Sequence, residues 1–249
     1  MLDGLVLVGM HDEAVQLFQA LETTKGLETD TVSFNTMIHG YCRKDMLEEA
    51  MLVFSRMKQR EIRPTAVTYN TLLWGLYQVG RITSAERFFE EFLASGVSPN
   101  HVTHHIKLTA YCKNGKMGEA VKLVESLVMS DDPYFTEFYN TLMHGFCLVG
   151  ELENALHLFH EILTKGLMRD VVSYNTMIGS LFHHRRSLEA ENLVSQMEVE
   201  GCVPNSRTYD IIISGFLRGS QTEKGVQYFH IMRQRGFVPA DSVVAFYIQ

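Results

Sequence analysis

The chain has 249 residues, a net charge of −7, 46% hydrophobic and 20% charged residues. This is globular composition, so a mainly disordered chain is excluded, and 5 Pro with 18 Gly exclude collagen-like and proline-rich classes. No apolar run nears the roughly 18–20 residues of a membrane span; a soluble protein is expected, and the acid excess speaks against a uniformly basic nucleic-acid binder.

Residues 1–30 read as the tail of a repeated unit, with Ala14 and Phe18 one place early relative to Asp30 and about one extra residue between Leu21 and Gly26. The opening Met1-Leu2-Asp3-Gly4 has neither the flank of a signal peptide nor the Arg/Ser bias of a transit peptide, and reads as mid-helix, so a fragment is expected. Six full units of 35 residues follow: 31–65, 66–100, 101–135, 136–170, 171–205 and 206–240, and 241–249 begins another. Three markers keep this period. Phe34-Asn35-Thr36, Tyr69-Asn70-Thr71, Tyr139-Asn140-Thr141 and Tyr174-Asn175-Thr176 share one tripeptide; Ala50, Ala85, Ala120, Ala155 and Ala190 recur in step; so do Pro64, Pro99, Pro204 and Pro239.

Each unit predicts two amphipathic helices. The first is expected to open after Ser33, Thr68, Thr103, Ser173 or Thr208, whose hydroxyls can cap free N–H groups. A break follows, at Gly80, Gly115 and Gly150. The second helix carries a buried stripe at 3-4-3 spacing: Leu47, Ala50, Phe54, Met57; Ile82, Ala85, Phe89, Phe92; Leu152, Ala155, Phe159, Ile162. Gly96, Gly166, Gly201 and Gly236 end it, with a proline three residues after three of them. One such pair cannot bury its own apolar face, so neighbours stack; the fold class is all-α, an α-solenoid.

Cys42, Cys112, Cys147 and Cys202 form no C-x-x-C pair and read as free thiols, since equivalent positions of stacked helices lie too far apart for a disulfide. The clusters His101, His104, His105 and His157, His160 lack Cys or carboxylate partners at zinc spacing, so no metal site is expected. No catalytic motif, phosphate loop or deaminase signature occurs.

The verbatim Val67-Thr68-Tyr69-Asn70-Thr71 and near-identical Val172-Ser173-Tyr174-Asn175-Thr176, with the Gly, Ala, Gly and Pro markers, resemble the pentatricopeptide repeat in its pure 35-residue subclass over nearly the whole chain. The 34-residue tetratricopeptide repeat would drift by six residues over the array, and its Trp-Leu-Gly-Tyr signature is absent. The resemblance implies a right-handed superhelix and single-stranded RNA bound at one base per repeat. It pairs the fifth residue of a unit with its last as base readers. These are Asn35 with Thr65, Asn70 with Asn100, His105 with Phe135, Asn140 with Asp170, Asn175 with Asn205, and Asp210 with Ala240. The implied target is pyrimidine, C/U, any, U, C/U, any, because His105/Phe135 and Asp210/Ala240 are not standard pairs. A carboxamide offers donor and acceptor to a base edge; the alternative is that these Asn side chains merely bond the adjacent unit. The second residue, Val32, Val67, Val102 or Val172, is implied to sandwich bases, a role Glu137 and Arg207 do not fit. Arg43, Lys113 and Arg218 hold the place implied for phosphate contact, His183 in part.

The first fifteen residues of the six units carry seven basic and three acidic residues, the remainder 15 and 26. The first helices are thus expected to be mildly basic within an acidic protein, and the local field governs binding of an anion. The run His183-His184-Arg185-Arg186 is either a solvated turn or a phosphate contact. The resemblance implies a mitochondrial or chloroplast protein without cofactor or catalysis, acting on pyrimidine-rich single-stranded RNA. The rival readings are a subunit of an organellar ribosome contacting rRNA and proteins, and a protein-binding scaffold.

Overall fold

The computed structural model describes residues 2–23, 29–127, 134–241 and 243–244. Among them are fourteen α-helices and no strand. In chain order these are α1 (Leu2–Leu7), α2 (His11–Thr23), α3 (Thr31–Arg43), α4 (Leu47–Gln59), α5 (Ala66–Gln78), α6 (Ile82–Ala94) and α7 (His101–Lys113). The others are α8 (Met117–Leu127), α9 (Phe135–Leu148), α10 (Leu152–Thr164), α11 (Val171–His183), α12 (Ser187–Val199), α13 (Ser206–Arg218) and α14 (Thr222–Gln234). They form two compact units, Met1–Ala110 and Tyr111–Gln249. In the first, α1, α3 and α5 stack in sequence and α2, α4 and α6 pack against their own partners; in the second, α9, α11 and α13 stack in the same way, backed by α10, α12 and α14.

The first helices begin three residues earlier than the hydroxyl pattern suggests. Asp30, Thr65, Asp170 and Asn205 hold the N-cap, in extended backbone (φ −106 to −110°). The recurrent Ser/Thr is the third helical residue, and its hydroxyl accepts the N–H of the cap: Thr65 N to Thr68 Oγ1 is 3.0 Å and Asp170 N to Ser173 Oγ is 3.2 Å. This reciprocal capping box satisfies two donors that a helix start leaves free. Ser33 N–H holds the Asp30 carboxyl below the usual carboxylate range.

The second helices bury the predicted stripes. Leu47, Ala50, Phe54 and Met57, and Leu152, Ala155, Phe159 and Ile162, are all buried. In α6, Phe88 lies deeper than Ile82 and Phe89, and Phe92 stacks on Tyr69 with ring centroids 4.4 Å apart. Exposed ion pairs tie consecutive second helices together, among them Lys58–Glu91 at 2.7 Å, Lys224–Glu191 at 2.5 Å and Arg235–Glu198 at 2.7 Å. Such pairs contribute little each.

Close approach of the first helices depends on one small residue per unit. The Cys42 and Cys112 thiols lie against Gly75 and Gly145, and the Phe182 ring lies on Gly215, where an added Cβ would sit 2.3 Å from the ring. All four cysteines are free; burial pushes the Cys42 thiol up to about 12 and that of Cys112 up to about 11.

Gly215→Ala is therefore expected to lower stability by about 1–3 kcal/mol through overpacking. Gly179→Ala, whose Cβ would meet only Ile211 at 3.5 Å, should hold or raise stability by up to about 1 kcal/mol, because alanine is the better helix former. Urea denaturation of the two variants checks this, and equal effects would contradict the packing account.

Candidate functional site

At about 100° per helical residue, burying the fourth residue of a unit turns the second about 200° away from the core and leaves the fifth at its edge. The structure follows this rule. Phe34, Tyr69, Tyr139, Tyr174 and Tyr209 are at most 3% exposed, whereas Val32, Val67, Val102 and Val172 are 41–67% exposed. These valines are apolar side chains held in solvent on one face of the first helices.

The fifth residue lies at the junction between repeats, in a recurring hydrogen-bond relay. Thr68 Oγ1 donates to Asn35 Oδ1 at 2.7 Å, Thr103 Oγ1 to Asn70 Oδ1 at 2.7 Å, and Ser173 Oγ to Asn140 Oδ1 at 2.7 Å. The opposite end of the carboxamide reaches the last residue of its own unit. Asn70 Nδ2 donates to Asn100 Oδ1 at 3.2 Å, and Asn140 Nδ2 to Asp170 Oδ1 at 3.0 Å. That same Oδ1 also caps the next helix, accepting Thr103 N–H at 3.1 Å or Ser173 N–H at 2.8 Å. The bonds run between side chains, not to the backbone of the adjacent unit. They occupy one donor and one acceptor of each amide, so Asn70 and Asn140 keep an N–H and a lone pair although only 6% exposed.

The two last junctions differ. Thr208 Oγ1 donates to Asn205 Oδ1 at 3.1 Å, as Thr103 and Ser173 donate to their own caps, but the buried Asn175 Oδ1 has no hydrogen-bond partner. Asp210 Oδ1 accepts the Ala240 N–H at 3.1 Å, so the pair meets through backbone on one side.

In the second unit these residues border an open cavity of about 1080 Å³. Val172, Asn175, Asp210, Arg218 and Ala240 line it, as do Arg185 and Arg207. Among the described residues, three arginines and one aspartate thus line a common space in a chain of net charge −7. Arg43 and Lys113 end α3 and α7 exposed, with no carboxylate partner among the described residues.

Two expectations need correction. Phe135, expected to close its unit as a base reader with His105, is the first residue of α9, 6% exposed, with its ring against Phe138 and Tyr139. Phenylalanine offers no capping oxygen, and burying it is worth roughly 1.5–3 kcal/mol, so the helix starts around it and its ring packs into the core; His105 is half-buried in α7. Lys107 does not contribute to a basic first-helix face, because its ammonium pairs with Glu86 at 3.0 Å and sits over the Phe89 ring. Sequence reasoning also missed the third-position hydroxyl as the hub of each junction, although Ser/Thr three places after Asp, Asn or Thr is a capping-box signal.

The PPR repeat family model matches residues 29–78, 64–113 and 169–218, and the PPR repeat model matches 1–23, 108–131, 137–167 and 207–237. The chain belongs to the pentatricopeptide repeat family. A mitochondrial pentatricopeptide repeat-containing protein of Arabidopsis thaliana is 29% identical over 100 residues, 40% of this chain and 12% of that protein. Other Arabidopsis relatives are named as mitochondrial or chloroplastic. The crystal structure of pentatricopeptide repeat protein PPR10 from maize superposes with a TM-score of 0.68 at 25% identity, over 98% of this chain and 35% of that one. PPR10 in complex with an 18-nt psaJ RNA element gives 0.63 at 24% identity, over 97% and 39%. The chain thus spans a small part of its relatives' length.

Ser173→Ala removes the hydroxyl that joins cap and carboxamide and leaves Asn140 Oδ1 buried without its donor. The expected cost is about 1–3 kcal/mol, while Ser173→Thr, the residue other junctions use, should be near neutral. Chemical denaturation measures both; a neutral Ser173→Ala would show that the relay does not hold the junction.

Proposed function

We propose that this chain binds single-stranded, pyrimidine-rich RNA along its first helices at about one base per repeat. It serves organellar RNA stability, processing or translation by occupancy, without catalysis. The observation that carries this reading is the atom left over at each cap. Capping and the relay consume Oδ1 of the last residue, so the other terminal atom is free to meet a base. In Asn100 and Asn205 that atom is Nδ2, a donor, which matches the N3 acceptor of cytidine. In Asp170 it is Oδ2, an acceptor, which matches the N3–H of uridine. The exposed valines supply apolar surface for base faces, and the arginine-lined cavity supplies local positive potential. The organellar setting rests on the mitochondrial and chloroplastic relatives. RNA binding by PPR10, whose fold this chain shares, accords with the same reading.

Selection from a random single-stranded RNA pool should enrich uridine at the Asn140/Asp170 register, with cytidine or uridine at Asn70/Asn100 and Asn175/Asn205. Asn140→Ala should erase enrichment at its own position only, a loss worth about 1–3 kcal/mol of discrimination. Retention of RNA without any sequence enrichment would favour a ribonucleoprotein subunit instead, and no retention at low salt would leave a protein scaffold.

A further inference from the structure

We infer that Arg185, with Arg207 and Arg218, forms a phosphate anchor in the second unit that grips the strand without reading its bases. The inference rests on the single-strand reading above and gives the cavity of the last two full repeats a role in addition to base choice.

The basic run 183–186 is divided by its turn. Arg186 is committed outward, with Nε 2.5 Å from Glu189 and NH1 2.5 Å from Glu153. His184 Nδ1 lies 2.9 Å from Ser180 O. Arg185 is exposed, lines the cavity, and has no carboxylate partner among the described residues. Its backbone is left-handed, φ +59°, at the place where three other repeats carry Gly80, Gly115 and Gly150 at φ +68 to +80°. A side chain with a Cβ costs roughly 1 kcal/mol there, and arginine has no local hydrogen bond that favours such a turn, so the turn itself gains nothing from it. Arg207 stands where four other repeats hold an exposed valine, and it too lines the cavity. Arg218 closes α13 with its Nε on Ser214 O at 3.2 Å. Among the described residues, Asp210 is the one acidic residue lining this space.

The chemistry and the place agree. A guanidinium donates in a planar fork suited to phosphate oxygens, and such contacts carry no sequence information. The cations gather where base readout is least equipped: Ala240 has no polar side chain, and Asn175 Oδ1 is outside the relay that fixes Asn70 and Asn140. The cationic grip therefore supplements base readout where that readout is least ordered.

The test compares the full chain with Arg185→Gly, which restores the residue that other repeats use and should not weaken the fold. Binding is measured across a salt series with oligouridylate, oligocytidylate and an abasic ribose-phosphate strand of equal length. Arg185→Gly should weaken all three by the same factor and flatten the slope of log affinity against log salt by about 0.7, the increment for one phosphate on a single strand. An unchanged slope, or a loss confined to one base, would overturn the anchor while leaving RNA binding intact. Failure of the unmutated chain to bind any strand would overturn the single-strand reading and the anchor with it.

Discussion

Each well-ordered junction in this protein depends on a single oxygen. The Oδ1 of Asn100 or Asp170 closes the first turn of the following helix and, in the same position, receives the carboxamide of the preceding Asn70 or Asn140. A helix start leaves its first N–H groups without intrahelical partners, and at Thr65, Asn100, Asp170 and Asn205 the last residue of the repeat is one that can cap, whereas Phe135 and Ala240 are not. Where Asn or Asp caps, the capping bond fixes which atom faces inward. What remains to face a ligand is an amide nitrogen in one case and a carboxylate oxygen in the other. Stability of the stack and chemistry of the exposed edge thus share one residue, and the third-position hydroxyl couples it to the reader of the unit before.

Charge is distributed by the same architecture. Lysines and arginines of the second helices and their starts pair with carboxylates of a neighbouring repeat, as at Lys58–Glu91, Arg186–Glu153 and Lys224–Glu191. Arg169, buried among Phe159, Glu200 and Tyr174, is fully committed: its guanidinium lies 4.0 Å over the Phe159 ring and 3.1 Å from Glu200. Arginines of the first helices and their turns in the second unit keep their charge for the cavity. An overall charge of −7 is therefore compatible with binding a polyanion, because the acid excess lies outside the first-helix segments, which carry seven basic and three acidic residues, and the local field governs binding of an anion.

Much of the fold was legible because each helix pair must be covered by the next, which forces the same apolar positions to recur. Ala85 and Phe92 could be placed in the core from spacing alone. Helix starts were misjudged by three residues because both partners of a capping box are polar and recurrent, and the hydroxyl was the more regular of the two. The candidate readers were legible at Asn70 and Asn140 through resemblance, but their mutual hydrogen bonds depend on how successive repeats approach, which no local pattern encodes. Phe135 was misplaced since its burial, rather than the 35-residue period, determines where α9 begins. Arg185 sat in a run of four basic residues whose division between cavity and outer face depends on a left-handed turn.

The most direct measurement is the base preference of Asp170→Asn. Asparagine caps as well as aspartate and already serves at positions 100 and 205 of this chain, so the relay and the fold should persist while the outward atom changes from acceptor to donor. The account predicts that preference at this register moves from uridine to cytidine by about 1–3 kcal/mol, with other registers unchanged. A folded Asp170→Asn chain that still prefers uridine there would contradict it.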